Sequence, residues 1–175
     1  TLPGMETLDA IRTRRSVRRF LPDPVDESTL RSLLEAAMQA PSAGNEQPWQ
    51  FVVIDDRSML DAIPSFSPYA SAVRGAPLGI LVCADTRTLA LPGFWVQDCS
   101  AAIENLLLAA HALGLGAVWT GVYPLEDRVT GFVRHCRLPD GVVPVGFVVL
   151  GRPADHPPPE PRYRPERVHR NVWTA

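Results

Sequence analysis

A chain of 175 residues with 46% hydrophobic and 21% charged side chains can bury one substantial core, and wholesale disorder does not fit that composition. Its cations are all arginine, yet they are outnumbered by acids, and the formal net charge of -2 argues against binding nucleic acid through bulk charge. The longest apolar run, AAHALGLGAVW, is interrupted by His111 and glycines and falls well short of the roughly 20 residues that cross a membrane.

The N-terminal TLPGMETLDAIRTRR lacks a basic-then-apolar secretory pattern, and Met5 reads as the start of the domain behind a short leader, residues 1–4. METLDAIRTR places Met5, Leu8 and Ile11 on one side of a short amphipathic helix. RRSVRRFLPDPV then breaks it with two prolines. VDESTLRSLLEAAMQA predicts a second helix, capped by Asp26, with Leu30, Leu33, Leu34, Ala37 and Met38 in one stripe. PSAGNEQP is a loop by composition. WQFVVID and PLGILVCA read as strands, separated by a variable stretch from Arg57 to Gly75.

A long helix follows from near Phe94 to Gly114, apolar around most of its circumference past Ser100. LGAVWTGV is a third strand, PLEDRVTGFVRHC a helix and VVPVGFVVLG a fourth strand. Only the last two strand–helix–strand steps look like simple crossovers, so a doubly wound sheet is not compelled. The tail, residues 152–175, is too rich in proline for a helix or a central strand and reads as an arm on a single domain.

Several chemistries lack their signatures. GLGAVWTG spaces its glycines G-x-G-x-x-x-x-G, and no acid follows where a dinucleotide fingerprint needs one. No P-loop, GxSxG or HExxH occurs. Cys83, Cys99 and Cys136 form no CxxC and sit in no Cys/His ligand spacing, which argues against structural zinc and for reduced thiols in a cytoplasmic protein.

What stands out is charge placement: Arg12, Arg14, Arg15, Arg18 and Arg19 fall within eight positions. Such a cluster can be a solvated helix end, a nucleic-acid patch or a socket for one anion. Arginine forks match phosphate geometry, and Ser16 between them adds a neutral donor. In PSAGNEQPW, small residues let a flat ligand approach the backbone, while the amides of Asn45 and Gln47 can donate and accept in one plane. An ordinary helix-to-strand loop has the same composition.

These pieces together resemble the FMN-dependent nitroreductase family, in its short-chain branch. The resemblance rests on RTRRSVRRF, AAMQAPSAGNEQPWQFVVI, LGLGAVWTGVYP and VPVGFVVLGRP with a proline-rich arm behind it, in the family's order from about Thr7 to Trp173. It implies an α+β fold, a mainly antiparallel central sheet of four to five strands flanked by helices, with an extended C-terminal arm crossing to the partner subunit. It also implies tightly bound FMN at the seam of a homodimer. Arg14, Arg15 and Ser16 would hold the phosphate and ribityl chain, and Arg18 would lie near flavin N1 and O2. Pro41, Ser42 and Ala43 would line the ring, with Asn45 and Gln47 on its pyrimidine side, supplied by the other subunit. Thr120 and Gly121 would offer backbone N–H groups near N5, although some relatives carry an acid where Thr120 stands. Arg162, or Arg164 in its place, would complete the phosphate clamp.

The activity implied is a ping-pong reaction in which NADH or NADPH binds transiently and a small-molecule acceptor then takes its place, a nitroaromatic, a quinone or a related flat compound. No catalytic side chain is needed, and neither nucleic acid nor membrane is a partner. Phe66, Tyr69 and Trp95 are candidates for stacking on the acceptor, or for packing a dimer. Two other uses of the same fold stay open: an FMN-binding module with a sensor or storage role, and a variant flavin chemistry such as dehalogenation or flavin fragmentation.

Overall fold

A computed structural model describes residues 5–173, so the leader expected over residues 1–4 lies outside the described part. The first helix, α1 (Thr7–Thr13), is short and buries little besides Ala10. In α2 (Glu27–Met38) the expected cap is present: Asp26 accepts from the Thr29 N–H at 2.9 Å and from the Thr29 hydroxyl at 2.7 Å. The stretch after the first strand, expected as a variable excursion, is ordered chain. Asp56 accepts from Met59 N–H to start α3 (Arg57–Ala62), and 3₁₀ turns at Ile63–Ser65 and Pro68–Gly75 lead to the second strand.

Four strands, β1 (Trp49–Ile54), β2 (Leu78–Asp85), β3 (Gly116–Gly121) and β4 (Val142–Gly151), form one sheet in the order β1-β2-β4-β3. Every neighbouring pair is antiparallel, with Phe51 opposite Val82, Leu81 opposite Phe147 and Val118 opposite Val149. The two central strands are apolar on both faces, and Ile80, Leu81, Val82, Phe147, Val148 and Val149 are fully buried. Against one face pack α2 and α4 (Trp95–Ala112), through Leu33, Ala37, Ile103 and Leu106. Against the other pack α3 and α5 (Glu126–Cys136), through Leu60 and Phe132.

This order corrects the expectation of two simple crossovers. β3 and β4 are antiparallel neighbours, and β4 lies between β2 and β3, so the step through α4 passes over it. The physical reason lies in β4 itself. VVPVGFVVLG is apolar throughout, and only an interior position covers both its faces and pairs both its edges.

Gly114 ends α4 at φ +78°, and the Leu115 N–H bonds back to Ala110 O at 2.8 Å, closing a Schellman turn that aims the chain into β3. The arm leaves β4 extended and is largely exposed. Its first residues lie against their own chain: Leu21 N–H donates to Arg152 O at 2.8 Å and Ala154 N–H to Arg19 O at 2.9 Å. Among the described residues no helix is long and apolar enough to cross a membrane.

Candidate functional site

The arginine-rich segment follows α1 as extended chain. Ser16 forms a parallel bridge with Ala117 of β3, and Val17 N–H donates to Ala117 O at 3.0 Å. Val17 lies over Gly116, where a Cβ would come 2.7 Å from Val17 Cγ1, so this close approach requires glycine. Val17 and Phe20 are buried, which turns Arg14, Arg15 and Ser16 to a half-buried rim, while Arg18 and Arg19 are exposed.

At that rim Arg15 grips Glu160 of the arm. Nη2 donates to Oε1 at 2.9 Å, and Nη1 lies 2.8 Å from Oε2 in ion-pair contact, out of line for a hydrogen bond. Arg162 Nη2 approaches the same carboxylate at 3.6 Å. The hydrogen bond and charge of Arg15, with Arg162 behind, hold the Glu160 carboxyl below its ordinary range. Arg15 Nε is buried and has no hydrogen-bond acceptor among the described residues. Arg14 Nε stands 3.5 Å from Glu104 Oε1 of α4. Arg14, Arg15, Glu160, Arg162 and Tyr163 line one cleft of about 620 Å³. Arg164 reaches no further than Tyr163 O, at 3.3 Å.

A smaller cavity of about 240 Å³ lies behind Arg14, between the end of α4 and the start of the arm. His111 Nε2 meets the Thr13 hydroxyl there at 2.8 Å. Because that hydroxyl already donates to Asp9 O at 2.6 Å, it accepts from His111, which fixes the proton on Nε2. Burial, followed by the charges of Arg14 and His156, pushes the imidazole below its usual pKa.

The loop after α2 forms a second centre. Gly44, Asn45 and Gln47 all have positive φ, at 57°, 55° and 50°. Two non-glycine residues held there mark a backbone fixed by its surroundings. Ser42 Oγ accepts from the Gln47 N–H at 3.0 Å, and Gln47 Nε2 donates to Asn45 Oδ1 at 2.9 Å. Asp98, only 6% exposed in the first turn of α4, accepts from Ala43 N–H at 3.0 Å. Glu46 accepts from Ala90 N–H at 2.5 Å and Leu91 N–H at 3.2 Å, tying this loop to the one before α4. The sequence reading missed Asp98 and Glu46. The signal for Asp98 was an acid beside Cys99 on the helix face that packs inward.

The third element is the free edge of β3. Ala117 turns its carbonyl outward to Val17, so by antiparallel alternation Trp119 and Gly121 also turn their backbone groups outward and Thr120 faces β4. Of the two N–H groups expected near a ligand, only that of Gly121 points to the open edge. The Thr120 hydroxyl bonds inward to Phe147 O at 2.9 Å. Arg128 Nη1 donates to Gly121 O at 2.7 Å, and its guanidinium lies 4.9 Å from the Tyr69 ring centroid. Phe66, partly buried, packs edge-on against the core residue Phe132 at 5.1 Å. Trp95 meets Tyr123 at 4.8 Å. Tyr69 is 76% exposed.

The structure thus gathers Arg14, Arg15 and Arg162 at one cleft, with Ser16 beside them on the rim. Pro41 to Gln47 line neither this cleft nor the cavity behind it, and nor do Thr120 and Gly121. Ser16 stands three residues along β3 from Thr120, about 10 Å at the usual strand rise.

A model of the nitroreductase family matches residues 11–70 and 67–152. The chain belongs to the nitroreductase family. A relative from Methanothermobacter thermautotrophicus, named "Putative NADH dehydrogenase/NAD(P)H nitroreductase", is 50% identical over 169 residues, covering 97% of this chain and 88% of the relative. A crystal structure from Bacteroides thetaiotaomicron of a protein with the same name superposes with a TM-score of 0.92 at 38% identity, covering 98% of this chain and all of that one. A structure from Desulfovibrio desulfuricans, "a putative nitroreductase in complex with fmn", is 33% identical with a TM-score of 0.86, covering 98% of this chain and 100% of that one. In this member of the family the matched region holds all three elements of the site, and Glu160 and Arg162 of the arm lie beyond it.

Proposed function

We propose that this chain is an FMN-dependent NAD(P)H oxidoreductase that reduces nitroaromatics, quinones or related flat acceptors by two-electron transfer in a ping-pong cycle. The observation that carries the proposal is the convergence of Arg15 and Arg162 on a single carboxylate beside β3, with Arg15 Nε buried and lacking an acceptor. Glu160 occupies the place of an anion, which fits a phosphate held by arginine forks. When bound, FMN supplies the two-electron carrier between the nicotinamide and the acceptor.

The chain's own residues bind and orient. Arg14, Arg15, Ser16 and Arg162 hold the phosphate end, and the distance along β3 to Gly121 suits a ribityl chain. The outward Gly121 N–H presents a fixed donor at the ring, and Arg18 places a cation at its pyrimidine end. The strained loop offers Ser42, Asn45 and Gln47 in a fixed array, with Pro41 and Ala43 against the ring. A homodimer supplies this loop from the second subunit, because within one chain it stands apart from the arginine cleft. The exposed Leu8, Ile11, Tyr163, Val172 and Trp173 support such an assembly, as does the exposed course of the arm. Three free cysteines, two of them buried, suit a reducing, cytoplasmic location.

The test is spectroscopic. Purified protein should be yellow or take up FMN, bleach anaerobically with NADH or NADPH, and recover its colour with a nitroaromatic or quinone. A yellow protein inert to both nicotinamides would instead be a binding module. Protein that cannot be loaded with FMN would overturn the proposal.

A further inference from the structure

We infer that Arg128 selects substrates by holding an anionic group, a phosphate or a carboxylate, of the molecule that exchanges electrons at the flavin. This rests on the reading of Gly121 given under the proposed function. Arg128 stands half-buried in the first turn of α5. Its two contacts, Gly121 O at 2.7 Å and the Tyr69 ring at 4.9 Å, hold the guanidinium beside the open edge of β3. One of five N–H donors is used, and the others find no acceptor among the described residues.

Neutralisation by its own chain would be easy to arrange. Glu126 and Asp127 occupy the same turn, and among the described residues eight other arginines form ion pairs. Neither acid pairs with Arg128. The geometry therefore keeps an unneutralised, oriented cation on the residue whose N–H faces the reacting ring. A guanidinium fork held this way matches the paired oxygens of phosphate or carboxylate. NAD(P)H offers such oxygens through its phosphates, and a substituted aromatic acceptor through a carboxylate.

The experiment compares FMN-loaded wild-type protein with Arg128→Gln and Arg128→Lys on two matched pairs of substrates. The acceptor pair is 4-nitrobenzoate and 4-nitrobenzamide. The donor pair is NADH and the uncharged N-benzyl-1,4-dihydronicotinamide. We expect Arg128→Gln to lower kcat/KM for the charged member of one pair by about tenfold relative to its neutral partner, mainly through KM, with partial recovery in Arg128→Lys. A shift in the donor pair identifies the dinucleotide phosphate; a shift in the acceptor pair identifies a carboxylate. Equal changes in charged and neutral members overturn the inference, because a purely structural loss acting through Gly121 affects both alike. Flavin content is read from absorbance in the same samples. Wild-type protein that holds no FMN overturns the proposed function and this inference together, whereas flavin-loaded protein whose charge preference survives Arg128→Gln overturns this inference alone.

Discussion

Replacing Arg14 by alanine separates the anion site from the scaffold. The Arg14 side chain is 18% exposed, and its ion-pair partner Glu104 is 49% exposed, with the two groups 3.5 Å apart. With Glu104 half in water and the contact long, the pair contributes about 0.2–1 kcal/mol, so its loss should cost the apo protein little stability. A charge-assisted contact to a bound phosphate contributes about 1.5–3 kcal/mol. At about 1.4 kcal/mol per factor of ten, the FMN dissociation constant should rise about 10- to 150-fold. Titrating apo protein into FMN and following flavin fluorescence gives that constant, and thermal unfolding of the same apo samples gives the control. Arg14→Lys should fall between the two, since it keeps charge and loses the fork. An unchanged dissociation constant in a folded Arg14→Ala protein would refute Arg14 as a phosphate ligand. A large drop in apo Tm would show that its work is structural.

Three further outcomes follow from the geometry. Asp98→Ala removes the acceptor from the Ala43 N–H, should cost about 1–3 kcal/mol, and should speed amide exchange at Ala43; unchanged exchange there would show that the loop holds itself. Asp26→Ala should lower the Tm at pH 7. Hydrogen bonds from Ser28 and Thr29 hold the Asp26 carboxyl below its ordinary value, so its contribution is complete above about pH 4 and fades as pH falls through the folded-state pKa. The gap in Tm between variant and wild type should therefore close on acidification, and a constant gap would refute the cap as its source. Removing residues 157–175 spares the contacts of Arg152 and Ala154 but should convert a dimer to monomers by light scattering. A truncated chain that remains dimeric would relocate the interface.

Helices and strands were legible where their causes are local. Asp26 announces α2 by a capping bond three residues long, and the all-apolar β4 announces burial on both faces. Strand order was not legible, because an antiparallel insertion and a parallel crossover place the same apolar runs in the chain. The arginines and the amide-bearing loop were also visible as chemistry. Their supports were not: Asp98 serves a backbone N–H 55 positions away, and Glu46 one 44 positions away. Neither pairing leaves a periodicity or spacing to find. Arg128 was hidden for the same reason, since its partners are a carbonyl and a ring from different segments.

Of the four strands described, the last in chain order, β4, is one of the two at the centre of the sheet. Leu81 waits for Phe147, 66 residues later, before the middle of the sheet exists. In a chain that ends before Val142, β1 and β2 have each other to pair with, and β3 has no strand to pair with. Such distant pairing makes for slow folding, and loop closure must precede any reward from contacts. The site inherits that timing. The segment bearing Arg14 to Ser16 docks on β3, and β4 is the only strand of the sheet beside β3, so the arginine rim has its full support only with β4 in place.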